Sequence, residues 1–104
     1  MTTAAQQAVT LVNVLSVHPG KQQELLASLR QNTETVIRTL PGWIATRLIA
    51  SGDGKRIVIH SQWDSAADVE AMRADPRMQA YFPTICDLAS FDSILGTDVL
   101  SHHR

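Results

Sequence analysis

Cysteine is nearly absent from this chain of 104 residues. Cys86 stands alone, so no intrachain disulfide can form, and neither a disulfide-stapled secreted scaffold nor a thiolate zinc cluster is available. Neither sign of charge is in surplus. Nine Lys and Arg stand against ten Asp and Glu, which leaves no basic excess for a phosphate backbone or an anionic membrane surface. Nucleic acid is therefore not an expected partner. No apolar run approaches the ~20 residues of a membrane span, and the start from Met1 to Gln7 lacks the basic region of a signal peptide. A cytoplasmic protein without a membrane partner is the expectation. Gly and Pro are also few, at five and four, while 44% of residues are apolar, which is the composition of an ordinary globular domain. Aromatic residues are scarce enough to count singly: Trp43, Trp63, Tyr81, Phe82 and Phe91.

The length suits one domain over 1–104 with one modest core, since chains of this size bury somewhat under ~70% of the surface they expose when unfolded. Residues 1–8 and 101–104 read as loose tails. Val9 to Val17 alternates the sets Val9/Leu11/Asn13/Leu15/Val17 and Thr10/Val12/Val14/Ser16, rich in β-branched residues, as a first strand requires. His18-Pro19-Gly20 breaks it. From Lys21 the apolar positions Leu25, Leu26, Leu29, Val36, Ile37 and Leu40 follow a 3.6-residue period, so a helix is expected up to Pro41-Gly42.

Trp43 to Ser51 reads as a second strand, Ser51-Gly52-Asp53-Gly54 as a turn, and Arg56 to Trp63 as the returning third strand. Ser65-Ala66-Ala67-Asp68 resembles a capping box opening a helix that carries Val69 and Met72. Asp75-Pro76 should interrupt that helix. A further turn or two with Met78, Tyr81, Phe82 and Ile85 should loosen around Pro83, and Phe91 to Leu100 should close as a fourth strand. The order β-α-β-β-α-β predicts an α+β fold of ferredoxin-like, split βαβ type: a four-stranded antiparallel sheet with its helices on one face. The other face then needs cover. A second copy of the same sheet is the simplest, so a homodimer is expected.

Four segments carry a resemblance over most of the chain: Val17-His18-Pro19-Gly20-Lys21, Leu40-Pro41-Gly42-Trp43, Ser61-Gln62-Trp63-Asp64-Ser65 and Ala74-Asp75-Pro76-Arg77. Their order and spacing resemble the antibiotic biosynthesis monooxygenase superfamily. The resemblance implies a dimeric α+β barrel with a pocket between sheet and helices. It also implies oxygenation of a small aromatic, polycyclic or quinonoid compound with no cofactor. An electron-rich phenol or anthrone, once deprotonated, passes an electron to O₂ itself, so the protein need only bind, deprotonate and shield it. The chain contains no G-x-G-x-x-G, P-loop or H-E-x-x-H motif.

By resemblance, Trp63 matches a Trp that quinone-forming oxygenases place at the end of this strand, facing the helices and the pocket; the alternative is a core aromatic. Period-two alternation puts Ile57, Ile59, Ser61 and Trp63 on one face and Val58, His60 and Gln62 on the other. His60 is a candidate general base, its ordinary pKa being near ~6.5, or else an interface histidine. Asn13 matches an Asn of the haem-degrading branch; a hydrogen-bonded strand residue or dimer contact is the alternative. That branch also uses a helix-two Trp and an axial His, where this chain has Met72 and Phe82, so haem has no evident axial ligand. The anthrone oxygenases carry an Asn four residues before the Trp, a Tyr six after it and an Arg about nineteen after it; those positions are Ile59, Val69 and Phe82 here.

The candidate catalytic set is thus Trp63, Asn13 and His60, and Ile59, Ser61, Val69, Met72, Tyr81 and Phe82 are candidates for lining a substrate pocket. Tyr81, Phe82 and Met78 equally fit a packed helix face. Cys86 reads as a small buried apolar residue, Arg47 as an anion counter-charge or a solvated strand residue, and His18, His102 and His103 as surface groups. Three functions remain open on this reading: a cofactor-free oxygenase, a non-catalytic or stress-related domain holding a hydrophobic ligand, and a lyase or isomerase on the same scaffold.

Overall fold

The computed structural model describes residues 8–104. The expected tail over residues 1–8 therefore lies, but for Ala8, outside the described residues. Four strands, β1 (Val9–Val17), β2 (Trp43–Ala50), β3 (Arg56–Trp63) and β4 (Ala89–Gly96), form one sheet in the order β2-β3-β1-β4 with every neighbouring pair antiparallel. The helices are α1 (Gln22–Thr35), α2 (Ala66–Ala74) and α3 (Pro76–Leu88), with a short 3-10 turn at Ile37–Thr39. This is the expected split βαβ order, its second helical unit divided in two.

Local chemistry sets the boundaries. The first helix stops at Thr35 rather than reaching Leu40. Thr33 and Thr35 donate their hydroxyls to the carbonyls of Leu29 and Gln31, each at 2.8 Å, and Val36 leaves helical geometry with φ −121°. Side-chain competition of this kind with β-branched crowding favours a tighter last turn over a continued helix. Ser65 caps α2, its hydroxyl oxygen accepting the Asp68 amide at 3.2 Å. Asp75 then caps α3 through the Arg77 amide at 2.8 Å, with Pro76 at the first helical position, where a missing N–H costs nothing.

Two expectations about the last third are corrected. Pro83 does not loosen the chain: α3 runs on to Leu88, with Pro83 exposed while Ile85 and Leu88 hold the helix to the core. The fourth strand is Ala89–Gly96, not Phe91–Leu100. Ala89 enters extended geometry directly after α3 and pairs with Val17, and the ladder stops where Gly96 meets Thr10 because β1 begins one residue earlier. Val99 and Leu100 lie outside the strands of the described residues and are exposed, as are residues 101–104.

Gly42 fixes the join between β2 and α2. Its φ is +82°, and a Cβ there would come within 2.2 Å of the Asp68 carboxylate, so both backbone geometry and space demand glycine. Its carbonyl accepts the Asp64 amide at 2.8 Å, which ties the end of β3 to the start of β2.

The core comes in two parts. Val9, Leu11, Leu40, Trp63, Val69, Met72 and Met78 pack at one end of the inner sheet face, and Leu15, Leu25, Leu29, Ile57, Ile85, Leu88 and Ala89 at the other. Tyr81 and Phe82 touch both. Between the two groups lies the row in which Asn13 pairs with Ile59 on one side and Ser93 on the other. The inner-face series Val9, Leu11, Asn13, Leu15 is thus interrupted by one polar residue, and the packing is interrupted at the same place.

Candidate active site

A cavity of about 350 Å³ occupies that interruption, roofed by α1, α2 and α3. Its floor is the inner sheet face: Leu11, Asn13 and Leu15 of β1, Ile59, Ser61 and Trp63 of β3, Thr46 of β2, and Phe91 and Ser93 of β4. The volume is in the range of small-molecule sites, and mostly apolar walls with a few polar groups are what such sites have. Gln79, Phe91 and Ser93 line it and are solvent-exposed, so it opens to solvent.

Trp63 is 1% exposed, and its indole N–H donates to the Ser61 hydroxyl at 3.2 Å. Ser61 in turn points its hydroxyl to the Leu11 carbonyl at 3.5 Å. This chain of contacts runs from β3 to β1 and leaves no buried side-chain polar atom without a partner among the described residues. Trp63 therefore presents its ring to the cavity, with its nitrogen already engaged. Asn13 accepts the Ser93 hydroxyl through Oδ1, which leaves its amide N–H groups as donors.

The roof is tied down by two polar contacts between α1 and α3. The Ser28 and Tyr81 hydroxyls are 2.7 Å apart, and the Asn32 amide approaches the Met78 sulfur at 3.4 Å. Burial pushes the Tyr81 phenol above its ordinary range, an effect the Ser28 hydrogen bond partly offsets.

Of the candidate residues, Trp63, Asn13, Ile59, Ser61, Met72, Tyr81 and Phe82 converge on this one cavity. Two do not. Val69 is fully buried in the core beside Trp63 and Met72 and does not reach the cavity surface. His60 pairs with Val12 and Arg47 and leaves the opposite face of β3, so among the described residues no imidazole lines the cavity. Cys86, expected to be buried, is exposed, because α3 turns it away from Ile85 and Leu88. His18 and Arg47 are surface residues, as one reading of each had it.

Sequence reasoning missed Asn32, Thr33, Arg73 and Ser93, all of which line the cavity. The signal existed for three. Asn32 and Thr33 continue the stripe of Leu25 and Leu29, and Arg73 continues that of Val69 and Met72, so each is a polar residue at a position where the helical period calls for an apolar one. Ser93 is found only once the β1–β4 register is known.

The family model for antibiotic biosynthesis monooxygenase matches residues 8–84, a stretch that holds α1, α2 and every strand but β4. The chain belongs to the antibiotic biosynthesis monooxygenase family. Tetracenomycin-F1 monooxygenase of Streptomyces glaucescens is 49% identical to it over 73 residues, which is 70% of this chain and 65% of that protein. The match thus covers slightly under two thirds of that relative's length. SnoaB, a cofactor-independent oxygenase from Streptomyces nogalater, shares the fold at a TM-score of 0.82 and 21% identity, over 91% of this chain and 96% of that one. Protein SO0527 from Shewanella oneidensis does so at 0.76 and 25% identity, over 86% and 89%. As an antibiotic biosynthesis monooxygenase-family domain, the chain has four antiparallel strands and helices on one sheet face, and none of its described helices is long and apolar enough to cross a membrane.

Proposed function

We propose that this protein is a cofactor-independent monooxygenase that converts a flat phenolic or anthrone-like polycyclic compound into a quinone. The observation that carries this reading is the apolar cavity between sheet and helices, walled by Trp63. Its support from kinship is the 49% identity to a tetracenomycin-F1 monooxygenase. In such a reaction a ring CH₂ and O₂ become a ring C=O and water. The ionised substrate passes an electron to O₂, the resulting radicals join as a peroxide at carbon, and loss of water leaves the carbonyl. The protein's contribution is to bind the ring system, exclude bulk water and hold the developing oxyanion.

Within this reading, Trp63, Met72 and Phe82 stack on or enclose the rings, and the Asn13 amide and the Tyr81 hydroxyl are the polar partners of substrate oxygen. Ile59 stands where related anthrone oxygenases carry Asn, so Asn13, its pairing neighbour on β1, takes over the polar position on the floor. His60 has no part in the chemistry of its own chain's cavity. It belongs to the outer sheet face, where Ile49 and Ile94 are 46% and 63% exposed, and a homodimer formed through that face is part of the proposal.

Oxygen uptake by purified, metal-stripped protein with an anthrone or dihydroxynaphthalene tests the reaction. Stoichiometric O₂ consumption with quinone formation is expected. Tight binding of the same compounds without uptake would show a ligand-holding domain instead.

A further inference from the structure

Arg73 is the one charged side chain among the described residues that line the cavity. It stands in the last turn of α2, next to the cavity-lining Met72, with exposed Gln79 of α3 also on the rim. Around it the walls are mostly apolar, and every other polar group among the lining residues is neutral. A cation beside low-dielectric walls acts more strongly on a bound charge than one facing open water.

Its present partner is easily exchanged. Arg73 Nη1 meets Glu70 Oε1 at 2.9 Å, but the two side chains are 37% and 67% exposed, and an exposed i,i+3 pair contributes little. Arg77 offers a contrast. It is held by Asp75 at 3.2 Å and lies outside the cavity.

We infer that Arg73 selects ligands whose aromatic framework carries an anionic oxygen at one edge, a carboxylate or an ionised phenol, which its guanidinium binds at the cavity mouth while the rings lie against Trp63 and Met72. The inference rests on the cavity being the substrate site and adds the charge and orientation of what enters it. Arginine's planar fork suits either oxyanion, and such charge-assisted contacts are the stronger class of hydrogen bond. Glu70 then acts as a competitor that the ligand displaces.

Calorimetric titration with two matched pairs tests this: naphthoate against its methyl ester, and nitronaphtholate against its methyl ether. The wild type should bind at least one anion roughly tenfold more tightly than its neutral partner, and which pair shows it identifies the group recognised. Arg73→Gln should abolish the preference while leaving the neutral ligands within about twofold, since Gln is a good helix former and the α2 fold is kept. Arg77→Gln, with the same change in net charge, should keep it. Glu70→Gln should tighten the anion by freeing the guanidinium. Equal affinities in the wild type, a preference that survives Arg73→Gln, or one lost equally in Arg77→Gln would overturn the inference. Oxygen uptake with an uncharged anthrone is measured alongside. Uptake without anion preference sinks this inference and leaves the oxygenase reading standing; anion preference without uptake does the reverse.

Discussion

The Trp63 indole N–H donates to the Ser61 hydroxyl two residues before it on the same face of β3, at 3.2 Å. The contact locks the ring that walls the cavity and consumes the donor that a lone buried tryptophan would otherwise offer to a ligand. Trp63 is thus both core and cavity wall, and the two roles separate by experiment.

Ser61→Ala leaves the buried indole N–H without an acceptor and should cost about 1–3 kcal/mol of folding stability. Trp63→Phe alone should cost a comparable amount through the cavity it leaves. The double variant should be less destabilised than the sum by roughly 0.5–1.5 kcal/mol, because it removes both ends of one hydrogen bond. Urea denaturation of the four proteins measures this, and strict additivity would mean that the pair contributes nothing.

Asn13→Ala should leave the fold almost untouched and weaken the site. Asn13 is half-buried, and its Ser93 partner is exposed on an edge strand, so the stability change should stay below about 1 kcal/mol. Loss of one neutral hydrogen bond to substrate oxygen, about 0.5–1.5 kcal/mol, should weaken binding roughly two- to tenfold. Ligand titration at matched folded fraction decides the point; unchanged affinity would remove Asn13 from the site.

Tyr81 predicts a pH dependence. Its folded-state pKa lies above that of the unfolded chain because burial disfavours the phenolate. The folded state therefore holds the proton to higher pH than the unfolded state does. The associated stability is fully present below the ordinary tyrosine pKa of about 10 and is lost as pH rises through the folded value. Urea midpoints taken on both sides of this range should fall with rising pH in the wild type and fall less in Tyr81→Phe. Parallel curves would show that the phenol does not titrate differently in the two states.

Ile94→Asp tests the dimer. Ile94 is 63% exposed on the outer face of β4, opposite Val12, and a charge there should be tolerated by an isolated chain but not in an apolar interface. Sedimentation at micromolar concentration should show a dimer for the wild type and a monomer for the variant, both with unchanged far-ultraviolet circular dichroism. A wild-type monomer would refute the pairing.

Much of the fold was legible in the sequence because it depends on local chemistry. Alternation in Val9–Val17 and Arg56–Trp63, the Ser65 cap and the Asp75-Pro76 break each act within a few residues, and each element appears where these signals put it. Two of the errors, both in the last third of the chain, fell where the deciding contact is remote. The end of β4 depends on where β1 begins, many residues away, so no local signal marks Gly96. Pro83 reads as a breaker in isolation and is overruled by the packing of Ile85 and Leu88.

The site divides in the same way. By itself the sequence determined the strand faces, and so put Trp63, Ser61 and Ile59 on one side and His60 on the other, because side-chain direction along a strand has a fixed period of two. Only the tertiary structure decided that Asn13 meets Ser93 and that Val69 does not reach the cavity. Those facts depend on strand register and on how closely α1, α2 and α3 settle on the sheet. Both are set by the sum of many weak contacts between residues far apart in the chain, which no local pattern encodes.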